Sequence, residues 1–333
     1  GVAGLILAGL FGPASSRGDL FGHRSQRLQD DFGSEIQGFA FTNDQLGGSL
    51  AVGDFNGDGF DDLAIGDHES LTDQNEGAVH VLYSDATGLT GNDQLWKDFD
   101  PATGLTDREL EDAFGETLAA GDWNGDGFDD LAIATPNEDL GATLDIGMVT
   151  ILYGSAAGLD ALAAPGASRW RLGANGVSGS AVQGDHLGRA LASGDFDNDG
   201  IDDLAIGCPY CNVGGSADAG LVLVLYGSAS GVGAADHRIF SQDSTGADGT
   251  MLDVSEVGDQ FGAALAAGDF DQDGDGDLAV GVPGEGIGAV AAAGAVQVVY
   301  GVTGLGLRLT GNQFWNENTV VTGGAAGAGD SWG

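Results

Sequence analysis

"DFNGDGFDDLAIG" at residues 54–66 returns as "DWNGDGFDDLAIA" at 122–134, "DFDNDGIDDLAIG" at 195–207 and "DFDQDGDGDLAVG" at 269–281. The first Asp of each copy advances by 68, 73 and 74 residues. Self-similarity at a near-constant period marks a repeat architecture, each repeat being one supersecondary unit. Ten residues ahead of each copy stands a second landmark: "DQLG" at 44, "DAFG" at 112, "DHLG" at 185 and "DQFG" at 259. The fixed offset places both landmarks in one rigid unit. Downstream come the apolar runs "GAVHVLY" (77–83), "GMVTILY" (147–153), "GLVLVLY" (220–226) and "GAVQVVY" (294–300). The aromatic-centred segments "DQLWKDF", "SRWRL", "HRIF" and "NQFWNEN" then close the units.

Each unit reads as four short strands. "FGxxLAAGDF" and "DLAIG" flank the acidic loop, "GxVxVLYG" follows, and the Trp or Phe segment comes last. The runs are rich in Val, Ile, Leu and Tyr and bounded by Gly, Asp and Ser, and none shows helical periodicity. Four-stranded all-β repeats predict a β-propeller of antiparallel blades. The small residues of "LAAG" suit an inner strand, where blades taper toward the axis. A parallel β-solenoid is the rival, but its repeats run to roughly 20–30 residues.

"GLILAGLFGPASS" (4–16) resembles "GLVLVLYGSAS" (220–230), so residues 1–43 read as a partial blade. Whole blades are expected at about 44–111, 112–184, 185–258 and 259–329, with the next beginning at 330–333. The chain then holds about five blades' worth of a longer propeller.

Counted from its first Asp, each acidic loop offers side-chain oxygens at positions 1, 3, 5 and 9 and a carbonyl at position 7. The first copy supplies Asp54, Asn56, Asp58, Phe60 (through its carbonyl) and Asp62. The second supplies Asp122, Asn124, Asp126, the Phe128 carbonyl and Asp130. In the third these are Asp195, Asp197, Asp199, the Ile201 carbonyl and Asp203. In the fourth they are Asp269, Asp271, Asp273, the Asp275 carbonyl and Asp277. Calcium takes six to eight hard oxygens, and alternate positions of a tight turn can present them. Position 6 is Gly59, Gly127, Gly200 or Gly274, where the turn needs a conformation costly to other residues. An EF-hand would require a bidentate Glu at position 12 and flanking helices. Here position 12 is Ile65, Ile133, Ile206 or Val280, inside a strand. About four calcium sites of structural rather than catalytic kind are expected.

The units resemble FG-GAP repeats, the blades of the integrin α-subunit propeller and of many bacterial secreted proteins. The resemblance rests on "FG", "LAxGD", "DxDxDGxxDLAIG" and "VLYG" and covers nearly the whole chain. It implies a seven-bladed, calcium-loaded, extracellular or cell-surface propeller used for adhesion, with a protein or glycan ligand. This sequence carries the loop in all four complete units, whereas integrin propellers place it in only some blades. A carbohydrate-binding propeller serving an enzyme, or a propeller hydrolase, is the alternative.

Bulk composition agrees. The 333 residues carry 10 Lys+Arg against 51 Asp+Glu, a formal charge of −41, which argues against nucleic-acid or anionic-membrane partners. No apolar stretch reaches the length of a membrane span, and no export segment is recognised. The acid is overwhelmingly Asp, the short carboxylate that turns and oxygen-ligand loops prefer. "RGD" at 17–19 is the tripeptide integrins recognise, yet a chain so rich in Gly and Asp yields it by composition. "CPYC" at 208–211 resembles a glutaredoxin motif but stands in a loop between strands rather than before a helix, so a local disulfide or quiet thiols are expected. The five histidines are scattered, and no nucleophile elbow or phosphate loop is present, so no enzyme activity is expected.

Overall fold

The computed structural model describes residues 46–67, 77–100, 105–106, 112–162, 164–320 and 329. The partial blade at 1–43, the "RGD" triplet and the segment 330–333 lie outside the described residues.

Four four-stranded antiparallel sheets follow one another along the chain, each in the order inner, second, third, outer. Blade one comprises Ser49–Gly53, Asp62–Asp67, Ala78–Asp85 and Gly88–Trp96. Blade two comprises Thr117–Gly121, Asp130–Thr135, Met148–Leu152 and Ser168–Trp170. Blade three comprises Ala190–Gly194, Asp203–Cys208, Leu221–Tyr226 and Gly233–Phe240. Blade four comprises Leu265–Gly268, Asp277–Val282, Ala295–Tyr300 and Arg308–Trp315. Glu317–Val320 is the one helical segment among the described residues. The fold is an all-β propeller assembled from these blades.

The register is the same in every blade. The acidic loop joins the inner and second strands, and its position-9 Asp opens the second strand opposite a glycine: Gly53↔Asp62, Gly121↔Asp130, Gly194↔Asp203 and Gly268↔Asp277. Second strands such as Asp130–Thr135 are buried at every residue, hence on both faces. A sheet apolar on both faces needs a partner on each side. The cores accordingly lie between blades: Phe55 and Val81 pack with Phe114 and Leu131, Trp123 and Ile151 with Leu187 and Leu204, and Phe196 and Val224 with Phe261 and Leu278.

Three contacts recur at each seam. The glycine two residues ahead of each "VxVLY" run has positive φ, and in the first three blades it lies flat on the landmark Phe or Leu of the next blade. A Cβ on Gly77 would stand 2.3 Å from the Phe114 carbonyl oxygen, and one on Gly147 would meet the Leu187 amide at 2.2 Å. In the first three blades the Tyr ending the run reaches under a turn of the next blade. The Leu159 N–H donates to the Tyr83 hydroxyl at 2.9 Å, and the Leu307 N–H to that of Tyr226 at 3.1 Å. Burial pushes the Tyr226 hydroxyl up to about 12. The third contact ties neighbouring acidic loops together and is described with the site.

Cys208 and Cys211 form a disulfide where the second strand of blade three ends, and both are buried. The pair stands against Leu187 and Leu172, in the core between blades two and three.

Two stability outcomes follow from the seams. Tyr226→Phe strands the buried Leu307 N–H, so the variant should lose about 1–3 kcal/mol in denaturant unfolding; a loss within error would show that the hydroxyl contributes no seam energy. The disulfide closes a loop of four residues, for which chain entropy gives about 2 kcal/mol. Unfolding curves of oxidised and reduced protein should differ by about that amount, and coincident curves would contradict it.

Candidate metal centre

Each acidic loop is held by its own side chains. In the first copy Asp54 accepts the N–H of Asp58 through Oδ1 at 3.0 Å and that of Gly59 through Oδ2 at 2.8 Å. Asn56 Oδ1 also accepts from Asp58 at 2.9 Å, and Asp58 Oδ1 accepts from Phe60 at 3.0 Å. The second and third loops repeat this pattern atom for atom. The fourth keeps three of these bonds: Asp269 Oδ2 with Gly274 N–H, Asp271 Oδ1 with Asp273 N–H, and Asp273 Oδ1 with Asp275 N–H. Short carboxylates at alternate positions bond the backbone two to five residues on, which is the Asx-type turn chemistry that Asp and Asn favour. Position 6 takes φ between +86° and +98° in all four loops, the left-handed region that glycine adopts freely.

The turn gathers positions 1, 3 and 5. Carboxylate oxygens of Asp195, Asp197 and Asp199 lie within 4.8 Å of one another, as do those of Asp269, Asp271 and Asp273. In the first two loops position 3 is Asn, so Asp54, Asn56 and Asp58, and likewise Asp122, Asn124 and Asp126, provide two carboxylates and one amide. Three hard-oxygen donors on one concave side suit calcium chemically. Apart from the buried Asn124 these donors are exposed or half-buried, which leaves this side open to solvent.

The position-9 carboxylates stand beneath this cluster. Asp130 is buried, accepts the Trp123 N–H at 2.9 Å through Oδ2, and accepts the Gly154 N–H at 2.9 Å through Oδ1. Asp62, Asp203 and Asp277 do the same with Phe55 and Ser84, Phe196 and Gly227, and Phe270 and Gly301. Position 9 thus clamps the loop to the exit of the third strand, and each oxygen keeps a second lone pair. Burial pushes Asp130 and Asp203 up to about 8 and Asp62 up to about 6, against the pull of the amides and with the help of the neighbouring acids. Burial raises Asp277 and Asp197 as well, Asp197 with added repulsion from Asp199 and Asp195. Ionising these groups at neutral pH therefore costs the folded chain stability, a cost a bound cation would offset.

Position 7 turns its side chain to the preceding loop: a Cβ on Gly57 would meet the Phe128 ring at 2.4 Å, and one on Gly125 the Ile201 side chain at 2.9 Å. In the fourth loop Asp275 bonds Asn198 of the preceding loop and also Thr303, accepting from its N–H at 2.7 Å and its hydroxyl at 2.8 Å.

Position 8 carries a role that spacing within one loop does not reveal. Asp129 Oδ2 accepts the Asp54 N–H at 2.7 Å while the Asp129 N–H donates to the Asp54 carbonyl at 3.1 Å. Asp202 makes the same pair with Asp122, both at 3.2 Å. Glycine replaces it in the fourth copy, and Gly276 keeps the backbone half of the pair, to Asp195, at 2.8 Å. The "DD" doublet at positions 8–9 in three of four copies is the signal in the sequence: one Asp faces its own loop and the other the preceding blade.

A family model described as FG-GAP repeat matches residues 46–82, 114–152, 187–225 and 261–299. Integrin alpha-V of Gallus gallus is 30% identical over 266 residues, spanning 78% of this chain and 22% of that protein. Phosphatidylinositol-glycan-specific phospholipase D of Mus musculus is 36% identical over 115 residues, spanning 34% of this chain and 13% of that protein. This chain therefore matches well under a quarter of the length of either relative. The solved rhamnogalacturonan lyase YesW aligns over 84% of this chain and 51% of its own, at 13% identity and a TM-score of 0.44. No helix among the described residues is long and apolar enough to cross a membrane. With four matched repeats, and similarity to integrin α subunits over most of its length, the chain is an integrin-α-like FG-GAP repeat protein.

Proposed function

We propose that this chain is a calcium-stiffened extracellular binding module that presents one end of its blades to a protein or glycan ligand. The observation that carries the calcium part is the gathering of Asp195, Asp197 and Asp199, and of Asp269, Asp271 and Asp273, within 4.8 Å. Three like charges so close are repulsive unless a cation joins them. Asp54, Asn56, Asp58, Asp122, Asn124 and Asp126 would form the equivalent sites, with the carbonyls of Phe60, Phe128, Ile201 and Asp275 and the position-9 carboxylates completing the shells. When bound, calcium supplies positive charge and a rigid coordination frame. The chain's own part is to hold the donors on turns already closed by side-chain hydrogen bonds.

The ligand-binding part draws on the similarity to integrin alpha-V over 78% of the chain. It also draws on the end of the blades opposite the acidic loops, where longer connections carry exposed apolar residues such as Leu140, Leu144, Leu252, Val254 and Val257. Exposed apolar groups rimmed by polar ones are the usual marks of an interaction face.

Calcium titrated into chelated protein should bind at about four loop sites and raise the melting temperature. A site at 100 times its dissociation constant contributes about 2.7 kcal/mol. Asp197→Asn with Asp199→Asn should remove one ion, and an unchanged stoichiometry and melting point would refute the ion assignment. Arrays of glycans and of extracellular-matrix proteins, probed with and without chelator, test the module role; calcium-dependent retention is expected, and an absence of binders on both arrays counts against it.

A further inference from the structure

We propose a second kind of divalent-cation site in the seam between blades three and four, at the opposite end of the blades from the acidic loops, formed by Gln242, Glu256, Asp259 and Glu285. Carboxylate oxygens of Glu256, Asp259 and Glu285 lie within 4.8 Å of one another, and Asp259 and Glu285 are buried. Gln242 is 1% exposed and donates through Nε2 to Glu285, so its amide is set into the same group. Its Oε1 is buried with no hydrogen-bond partner. A buried amide oxygen left unpaired is costly, and half a turn about the last side-chain bond carries it to where Nε2 now meets Glu285. Four oxygen donors, one of them neutral and one at the solvent-facing mouth, make a hard-cation set of the calcium type.

Comparison of the seams strengthens the assignment. Gln242, Asp259 and Glu285 correspond in the repeat to Asp98, Asp112 and Glu138 at the seam of blades one and two. There the acids are likewise gathered and buried, but the Arg169 guanidinium sits 2.6 Å from Asp98. At the seam of blades two and three, Leu172 and Cys211 take the first and last of these positions, Asp185 is the one acid left, and the disulfide closes the place. The seam of blades three and four has neither device. Phe314 stands where blade two has Arg169, and the charges acting on Glu285 are those of Asp253, Asp259 and Glu256, all acidic. Burial, with their repulsion, pushes the Glu285 carboxyl up to about 7. One seam thus carries its own cation and one a covalent bridge; the third has only oxygen donors, and a cation from solution completes it.

The test is calcium stoichiometry of the full chain by native mass spectrometry and calorimetry, with calcium alone as the probe. Glu285→Gln is isosteric and should lose one equivalent while retaining the ions of the acidic loops. Asp197→Asn with Asp199→Asn should lose a different equivalent and leave the seam site intact. If the loops bind nothing, wild-type protein still binds one ion, and Glu285→Gln abolishes it. A Glu285→Gln protein with a wild-type circular dichroism spectrum and undiminished stoichiometry overturns the proposal. Should that variant fail to fold, Gln242→Leu removes the amide, and with it the neutral oxygen donor, and imitates Leu172. At least a tenfold loss of affinity at one site is then expected, and unchanged affinity at every site overturns the proposal equally.

Discussion

A sheet that is apolar on both faces cannot stand alone, and this constraint governs the molecule. The second and third strands of each blade are largely buried on both sides, and among the described residues the three large core clusters are each shared between two blades. Stability is then approximately a sum of blade and seam terms, as in other repeat proteins. What distinguishes one blade from another is therefore written at the seams. The glycine on the landmark Phe or Leu, the Tyr under the next turn and the position-8 Asp on the preceding loop are three ways of fixing one sheet against another without lengthening either. All three use groups that either lack a side chain or carry a single polar tip. They suit an interface that has to be dry and close-packed.

How much of this could be read from the chain depends on whether a residue's partner lies in the same repeat. The strands, their order and the place of the acidic loop follow from composition and spacing, because the determinants are local. Gly59 and its counterparts at position 6 were legible for the same reason: a tight turn demands a left-handed residue wherever it occurs. Asp129 and Asp202 were not, since the groups they bond, Asp54 and Asp122, lie a full repeat away. Tyr83 reads as one more apolar residue of "VLYG" until Leu159 is seen to donate to it. The position-9 carboxylates illustrate a third case. Spacing presents them as ligands, whereas the fold also gives each two amide partners, one of them at the end of the third strand, 22 or 24 residues along the chain. Nothing in the loop's own thirteen residues announces that second attachment. Because "CPYC" stands between two strands, away from any helix terminus, its spacing left a local disulfide and quiet thiols both open, and the structure holds the disulfide.

Acidity on this scale has to be managed where charges are buried. Four of the five described arginines pair with carboxylates: Arg169 with the buried Asp98, Arg189 with Glu116, and Arg238 and Arg308 with Asp248. Arg169, Arg189 and Arg308 each cross a seam, so even the scarce cations serve the same interfaces as the apolar contacts. Half-exposed pairs of this kind contribute modestly, about 0–1 kcal/mol each. None of these four arginines reaches the acidic loops, which have no arginine among their hydrogen-bonding partners.

The two ends of a blade therefore face different demands. At one end the loop between inner and second strands holds its acids on a turn that is closed by its own backbone amides. A cation bound there would add rigidity to a conformation already selected, which favours affinity because little ordering would remain to be done on binding. At the other end the second strand runs into the seam, and each seam solves the same problem differently: a guanidinium, a disulfide, or a set of oxygens with an unpaired amide. Repeat proteins tolerate this variety because a seam couples only its two neighbours, so a change at one leaves the rest in register. The identical loops fix what all blades share, and the dissimilar seams are where a ligand or an ion can tell one blade from the next.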